Sequence, residues 1–269
     1  MDKKNKPIGV FDSGIGGLTV LKEIIKEMPD ESTIYLGDTA RVPYGIRSQE
    51  TVIRYSLENT KFLSSRDIKL LVVACNTASS MSLDAIKKSI AMPVIGVIEP
   101  GAKAAVEATK KRKIGVIGTE ATIRSSSYTK AINAIDKNIE VFGLACPLFV
   151  PLVEEGWTEG DVATLIAKKY LKNITNKGID TLVLGCTHYP LLKKVIAMAI
   201  GKDIKLIDSA VEASHEIKRI LENMNLKREQ EGKPLKEFFV TDSPERFLTV
   251  GERFLRQKIE HIEKIELGN

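Results

Sequence analysis

The chain has 269 residues, of which 43% are hydrophobic and 28% are charged, and its formal net charge is +5. This composition is typical of ordinary globular domains, and the length suggests about two of them. Disorder is excluded for most of the chain, because disorder requires low hydrophobicity together with high net charge. The small charge excess, without a basic stripe interleaved with aromatic residues, argues against nucleic-acid binding.

The sequence also argues against membrane insertion and secretion. No apolar run approaches the roughly 18 residues of a membrane helix. The N-terminal apolar run Ile8–Phe11 ends at Asp12, which is too short for a signal peptide. Three cysteines, Cys75, Cys146 and Cys186, do not make a disulfide framework in a chain of this length. We therefore expect a cytoplasmic protein with reduced thiols.

Apolar strands alternate with amphipathic helices through the first part of the chain. The predicted strands are Ile8–Phe11, Thr33–Leu36, Leu70–Ala74 and Pro93–Ile98, and the predicted helices are Leu18–Lys26, Ser48–Ser64 and Ala78–Ile90. Continuous apolar strands in this alternation are typical of a parallel sheet covered on both faces.

The pattern then starts again. Ile8-Gly9-Val10 has a counterpart in Ile114-Gly115-Val116, and Cys75 has one in Cys186, at the end of a matching strand. The second set of predicted strands is Ile114–Ile117, Ile139–Phe142, Thr181–Gly185 and Ile204–Ile207, with helices at Ile123–Ile135, Glu159–Asn176 and Leu191–Ile200. We predict two similar α/β units, over about 1–98 and 99–206.

The remaining segment, 207–269, has no counterpart in the first unit. It is predicted to hold a helix at Ala210–Met224, a strand at Phe238–Thr241 and a final helix at Glu245–Glu263. Because it is too short for a third domain, we expect it to pack back onto one of the two units. The charged segment 227–233 has no assignable role.

Short polar clusters follow several of the predicted strands. They are Asp12-Ser13-Gly14, Asp38–Gly45, Cys75-Asn76-Thr77, Thr119–Thr122 and Cys186-Thr187-His188. Ligands of open parallel sheets bind beyond the carboxyl ends of the strands. If the two units face each other, both cysteines line one cleft.

Two thiols on opposite sides of a ligand suggest stereochemical inversion. One thiolate removes a proton from a carbon atom, and the opposite thiol returns a proton to the other face. A thiol has an ordinary pKa of about 8.5, so both protonation states are within reach near neutral pH. Asp12 and His188 are candidate neighbours that adjust the protonation of the thiols, and His188 is predicted at the start of a helix, where a thiolate is favoured.

Hydroxyl and backbone N–H groups at helix starts could hold a carboxylate. The candidates are Ser13, Thr77, Thr119, Thr122 and Thr187.

Other interpretations compete with this one. A cysteine at a strand end is often a small buried apolar residue, and Cys146, which has no counterpart in the first unit, is assigned that role. The glycines of Gly14–Gly17 lack the spacing of a dinucleotide-binding turn and the lysine of a P-loop. No pair of cysteines or histidines has the spacing of a zinc finger, so no metal is expected.

Four motifs together resemble glutamate racemase. They are Gly9-Val10-Phe11-Asp12-Ser13-Gly14-Ile15-Gly16-Gly17-Leu18, Gly37-Asp38 through Pro43-Tyr44-Gly45, Ala74-Cys75-Asn76-Thr77-Ala78 and Gly185-Cys186-Thr187-His188-Tyr189-Pro190. The resemblance runs from about residue 7 to the tail. It implies two α/β domains related by pseudo-twofold symmetry, with the active site in the cleft between them and the C-terminal segment returning to the first domain.

The same resemblance implies an activity and a set of site residues. The family interconverts L- and D-glutamate without a cofactor and supplies D-glutamate for peptidoglycan, usually as a homodimer. Cys75 and Cys186 match its two acid/base residues, and Asp12, His188 and Glu154 match residues that assist them. The expected substrate contacts, with the hydroxyl candidates included, are Asp12, Ser13, Pro43, Tyr44, Gly45, Asn76, Thr77, Thr119, Thr122, Thr187 and His188.

Three alternatives stay open at this stage. An aspartate racemase has the same chemistry, and the shape of the pocket decides the length of the substrate side chain. A binding protein could keep the scaffold for a protein partner, although cysteines at both strand ends favour an enzyme. A pyridoxal-phosphate racemase would need a Schiff-base lysine, and nothing in the sequence marks one.

Overall fold

The computed structural model describes residues 2–229 and 231–268. They form two sheets whose strands all pair in parallel. The first sheet has the order β10-β9-β2-β1-β3-β4, with β1 Ile8–Asp12, β2 Thr33–Gly37, β3 Leu70–Val73, β4 Val94–Gly96, β9 Lys236–Val240 and β10 Ile262–Lys264. The second has the order β6-β5-β7-β8, with β5 Lys113–Gly118, β6 Glu140–Ala145, β7 Thr181–Gly185 and β8 Lys205–Asp208.

Helices cover these sheets, which explains why strands such as β1 and β7 are apolar and buried along their whole length. The helices are α1 Leu18–Glu27, α2 Gln49–Ser65, α3 Asn76–Ser89, α4 Ile98–Ala108, α5 Glu120–Ser125, α6 Ser127–Ile135, α7 Phe149–Glu154, α8 Gly160–Thr175, α9 Lys193–Ile200, α10 Ser209–Asn223 and α11 Pro244–Leu255. Short 3-10 turns lie at Lys3–Asn5, Tyr44–Ile46 and Tyr189–Leu192. Among the described helices, none is long and apolar enough to cross a membrane.

The two sheets share one strand order, which confirms the predicted pair of α/β units. In the first, β1 lies between β2 and β3, and β4 follows β3; in the second, β5 lies between β6 and β7, and β8 follows β7. Ile8 pairs with Thr33 and Leu70, just as Ile114 pairs with Val141 and Thr181. The carboxyl ends of the central strands are therefore equivalent positions.

Several predicted elements have different limits in the structure. The strand predicted at Pro93–Ile98 shortens to β4, and Ile98 begins α4, a helix that was not predicted. Pro100 lies in the first turn of that helix, where no backbone N–H is needed, so the Pro-Gly pair does not break it. The helix predicted at Ile123–Ile135 divides at Ser126, whose φ of 55° is left-handed.

The end of the chain also differs from the prediction. The final helix stops at Leu255, because Arg256 takes a left-handed conformation with φ of 56° and caps the helix. The residues after it form β10 instead of a longer helix, and β10 adds to the edge of the first sheet beside β9. The tail therefore contributes two strands to the first sheet.

Buried polar contacts attach the tail to the amino ends of these strands. The Lys69 ammonium group is fully buried and donates to a carboxylate oxygen of Glu31, to the Lys4 carbonyl at 2.7 Å and to the Leu226 carbonyl at 2.8 Å. The other Glu31 oxygen accepts from the Arg228 backbone N–H at 2.9 Å. These bonds lie at the opposite edge of the sheet from the polar clusters.

Candidate active site

A cavity of about 210 Å³ opens where the carboxyl ends of the two sheets meet. Most of the predicted site residues line it: Ser13, Pro43, Tyr44, Gly45, Cys75, Asn76, Thr77, Thr119, Cys186, Thr187 and His188. Three predicted residues, Asp12, Thr122 and Glu154, lie behind this lining. Six further residues line the cavity without having been predicted as site residues: Val42, Ile46, Glu120, Pro147, Val150 and Pro151. Five of these six are apolar residues from loops, from the 3-10 turn Tyr44–Ile46 and from α7, and such residues carry no sequence pattern that marks a site.

Cys75 comes from the first unit, where β3 ends and α3 begins. It is the N-cap of α3, and its sulfur accepts from the Ala78 N–H at 3.5 Å. The thiol donates to the Ser13 hydroxyl at 3.6 Å. Burial and the negative charge of Asp12 together raise the pKa of Cys75 to about 12. This group is therefore a thiol at neutral pH.

Asp12 lies at the end of β1, beneath the cavity, and is almost fully buried. One carboxylate oxygen accepts from the Gly14 N–H at 2.9 Å. The other is buried and has no hydrogen-bond partner among the described residues. Burial raises the pKa of this carboxyl group, and the charge of His188 opposes that rise. Asp12 is thus close enough to act electrostatically on both sides of the cavity.

Cys186 comes from the corresponding position of the second unit, directly after β7. Its sulfur lies 3.9 Å from His188 Nδ1, and His188 Nε2 lies 3.1 Å from Glu154 Oε1. Burial lowers the pKa of His188, but the bonds to Cys186 and Glu154 outweigh it and raise that pKa to about 10. The His188 bond in turn lowers the pKa of Glu154 against the effect of burial. These contacts place a protonated imidazole between the Cys186 sulfur and the Glu154 carboxylate.

The segment after Cys186 differs from the predicted helix start. His188 precedes the 3-10 turn Tyr189–Leu192, and the α-helix begins only at Lys193. Contrary to the prediction, the Cys186 thiol therefore does not lie beside the N-terminus of an α-helix. Its charged neighbour is His188.

Three threonine hydroxyl groups connect the two units beside the cavity. Thr77 Oγ1 lies 3.0 Å from Thr119 Oγ1 and 3.3 Å from Thr122 Oγ1, and the last two are 3.0 Å apart. Asn76 Oδ1 accepts from the Tyr128 hydroxyl at 2.7 Å, which is a further bond between the units. The buried Asn76 Nδ2 has no partner among the described residues, and it is a donor available to a ligand.

The loop after β2 is ordered by a buried carboxylate. Asp38 accepts from Arg41 Nε at 2.7 Å, from Thr241 Oγ1 at 3.0 Å and from the Tyr44 hydroxyl. Burial and the charge of Asp38 raise the pKa of Tyr44, so its hydroxyl stays protonated. Tyr44 and Gly45 are thereby fixed at the cavity wall, with the phenol hydroxyl engaged by Asp38.

Two glycines allow the units to approach closely. A Cβ atom at Gly16 would lie 2.3 Å from Thr187 Oγ1 and 2.6 Å from the His188 ring. A Cβ atom at Gly45 would lie 2.9 Å from Thr119 Cβ. Thr19 Oγ1 adds a bond to the Thr187 carbonyl at 2.8 Å. The closure of the cavity thus depends on two positions that have no side chain.

This arrangement can exchange protons on two faces of a small polar ligand. Each unit supplies a thiol at the same strand end, and each thiol has an ionisable neighbour. Cys146 is buried outside the cavity, in keeping with its predicted structural role. Within the described part of the chain, no group of three or more His, Cys, Asp or Glu residues could hold a metal ion.

Comparison with known proteins gives consistent results over nearly the whole chain. The profile of the family described as Asp/Glu/Hydantoin racemase matches residues 8–217. A glutamate racemase of Geobacter metallireducens is 56% identical over 262 residues, 97% of each chain. The structure of glutamate racemase isoform RacE1 from Bacillus anthracis has a TM-score of 0.94 at 43% identity, covering 98% of each chain.

A further solved structure carries a ligand. The glutamate racemase of Francisella tularensis, in complex with D-glutamate, has a TM-score of 0.92 at 41% identity and covers 98% of both chains. Identities of this size over nearly the whole of both compared chains establish common ancestry and a common fold. The chain therefore belongs to the Asp/Glu/Hydantoin racemase family and, within it, to the glutamate racemases, which are amino-acid racemases of the isomerase class.

Proposed function

We propose that this protein interconverts L- and D-glutamate with Cys75 and Cys186 as the two acid/base groups. The observation that carries the proposal is the placement of both thiols, from equivalent strand ends, on one cavity of about 210 Å³. Since the thiols supply both proton-transfer groups, this chemistry needs no cofactor. The D-glutamate complex of the Francisella tularensis relative supports the choice of substrate.

The proton balance requires one thiolate and one thiol in each turnover. With L-glutamate bound, the Cys186 thiolate takes the α-proton, and the Cys75 thiol donates its proton to the opposite face of the carbanion. With D-glutamate bound, the Cys75 thiolate takes the α-proton and Cys186 donates. Each cysteine therefore reverses its role with direction, and Asp12, His188 and Glu154 assist the transfers.

Dipolar groups and hydroxyls are proposed to bind the two carboxylates of glutamate. Among the described residues that line the cavity, none is a lysine or an arginine. The N-terminus of α3, beginning at Asn76, and the hydroxyls of Ser13, Thr77, Thr119 and Thr187 are available instead. Backbone N–H groups at a helix N-terminus favour an anion, and the unpartnered Asn76 Nδ2 adds a donor.

The biological role follows from the product. We propose that the D-glutamate supplies peptidoglycan synthesis in the cytoplasm, and that the protein acts as a homodimer. The exposed apolar side chains Leu148, Trp157 and Leu165 on and beside α7 and α8 support self-association. Size-exclusion chromatography with light scattering would test the homodimer. A monomer mass at micromolar concentration would contradict it.

The test of the activity is circular dichroism of L-glutamate, and separately of D-glutamate, with reduced and dialysed protein. Decay of both signals to zero without an added cofactor is the expected result. L-aspartate serves as the control, since the aspartate side chain is shorter by one methylene group. A faster decay with aspartate would move the proposal to an aspartate racemase, and two inert substrates would contradict racemisation of either.

A further inference from the structure

Helix α11, in the C-terminal tail, reaches across to the second unit. The helix packs against the first unit, where a Cβ atom at Gly251 would lie 2.9 Å from Leu18 of α1. Its opposite side faces Glu154, at the end of α7. The tail therefore contacts the residues behind Cys186, although its own strands belong to the first sheet.

The Glu154 carboxylate is shared between the tail and the active site. Its Oε1 atom lies 3.1 Å from His188 Nε2, and its Oε2 atom accepts from Arg246 Nη2 at 3.3 Å. The neighbouring Glu155 lies 3.9 Å from Arg246 and adds a weaker ion pair. With one oxygen held on each side, the carboxylate has a fixed plane, and its proton acceptor points at the imidazole.

Two more contacts from α11 act on the same group. Arg253 Nη2 donates to the Glu154 carbonyl at 3.0 Å. A Cβ atom at Gly156, whose φ is +80°, would lie 2.3 Å from Arg253 Nη1, so the turn leaves space for this guanidinium group. The Phe254 ring meets the His188 ring edge-on, with centroids 5.4 Å apart. Both members of the His188–Glu154 pair are thus contacted by one helix.

We infer that Arg246 is a positioning residue: it orients Glu154 toward His188, and so controls proton transfer at Cys186 but not at Cys75. The inference rests on the proposed two-thiol function. The asymmetry comes from the contacts, since Cys75 bonds to Ser13 and to the start of α3, away from the tail. The tail has no counterpart in the second unit, so only one of the two thiols is supported in this way.

The test uses Arg246→Gln and substrates that carry deuterium at the α-carbon. Arg246 is 56% exposed, so its ion pair contributes little to folding and the variant is expected to fold. Loss of the Glu154 orientation should lower kcat about tenfold, which is a fraction of the rate enhancement that a positioned acid/base group supplies. The primary isotope effect should rise with labelled L-glutamate, because removal of its α-proton by Cys186 becomes more rate-limiting.

The primary isotope effect with labelled D-glutamate should change in the opposite direction. Its α-proton is removed by Cys75 before Cys186 acts, so a slower Cys186 step makes the first step reversible and lowers the isotope effect. Arg246→Lys, which keeps the charge, should restore part of kcat. Arg256→Gln, at the exposed end of the same helix, is the matched control and should change neither isotope effect.

The outcomes separate this inference from the proposed function. If the wild type racemises glutamate but Arg246→Gln shifts both isotope effects together, or shifts neither, Arg246 has a structural role only. A wild type that leaves glutamate unchanged overturns the two-thiol function, and this inference with it. Opposite shifts in Arg246→Gln, absent from Arg256→Gln, establish the positioning role.

Discussion

At the scale of single residues, the two thiols have unlike surroundings. Cys75 is close to a buried carboxylate, Asp12, whereas Cys186 is close to an imidazole that is itself bound to Glu154. The strand-end rule predicted that both sulfurs would line one cleft, and the structure places them there. The same rule could not show how far Glu154 lies from His188, because the two residues belong to segments 34 positions apart.

Replacing either thiol by a hydroxyl tests the central assignment. Cys75→Ser and Cys186→Ser keep the size of the side chain, but a hydroxyl group is a far weaker acid. We expect each single variant to lose racemisation by at least about 10³-fold, within the range of acid/base contributions. Polarimetry with both enantiomers measures it. Cys146→Ser, at the third buried cysteine, is the control, and normal turnover by either of the first two variants would refute the assignment.

His188 makes folding stability depend on pH. The folded protein binds its proton more tightly than the unfolded chain, because its pKa is raised to about 10 from an ordinary value of about 6.5. This contribution is complete below about pH 6.5 and is lost as the pH rises through about 10. Urea unfolding of the wild type and of His188→Asn at pH 6.5, 8 and 10 should give a stability difference that shrinks with pH. A difference that grows with pH would mean that His188 is neutral in the folded protein.

At the scale of elements, the turns between strands and helices decide how closely the two units approach. The sequence predicts a glycine-rich turn after β1 that lacks the spacing and the lysine of a phosphate-binding turn. That its glycines allow contact with Thr187 and His188 could not be predicted, since the contact joins residues about 170 positions apart. Likewise, no helix was predicted at α4, whose first residues include Pro100-Gly101, a dipeptide that favours turns.

Gly16→Ala tests the need for close approach. The added Cβ atom would meet Thr187 Oγ1 and the His188 ring, so the units must separate or the His188 side chain must move. Overpacking of this kind costs about 1–3 kcal/mol of stability. A shift of about 1 Å at reacting groups lowers turnover by up to about 10²-fold. Denaturant unfolding and polarimetry measure the two effects.

Gly101→Ala supplies the control for that substitution. Its Cβ atom would lie 3.4 Å from the nearest side-chain atoms, within α4. An alanine in a helix interior is favoured over glycine by about 0.5–1 kcal/mol. We expect unchanged turnover and unchanged or higher stability. If Gly16→Ala behaves in the same way, the close approach has no functional importance.

At the scale of the whole molecule, the tail connects parts of the protein that are distant in sequence. The pattern of strands and helices allowed the two units to be anticipated, because they follow from local periodicity. The return of the tail to the first unit was implied by the family resemblance and not by the pattern. The added edge strand β10 was missed, since Ile262–Lys264 has a single apolar residue and only its pairing with β9 defines it. The existence of β10 depends on a contact between distant segments, and local periodicity does not encode such contacts.

The buried Lys69–Glu31 pair tests how strongly the tail is attached. Lys69→Met leaves a buried carboxylate without its cation, and breaking such a pair costs about 3–5 kcal/mol. The double variant Lys69→Met/Glu31→Gln removes the charge as well, and it keeps an acceptor for the Arg228 N–H. We expect most of the lost stability to return in unfolding experiments. Equal instability of both variants would assign the cost to the lost carbonyl contacts of Lys69.

The one-sided support of Cys186 by the tail has a consequence for the energetics of the proposed reaction. Enantiomers in water have equal free energies, so their equilibrium constant is one, and no arrangement of protein groups changes it. The ratio kcat/KM must therefore be the same in the two directions, however different the neighbours of the two sulfurs are. Asymmetry can appear only as a matched change in both parameters: the enantiomer with the lower KM is converted more slowly at saturation, by the same factor. The tail can thus determine which enantiomer saturates the enzyme at the lower concentration, while the final mixture contains equal amounts of both.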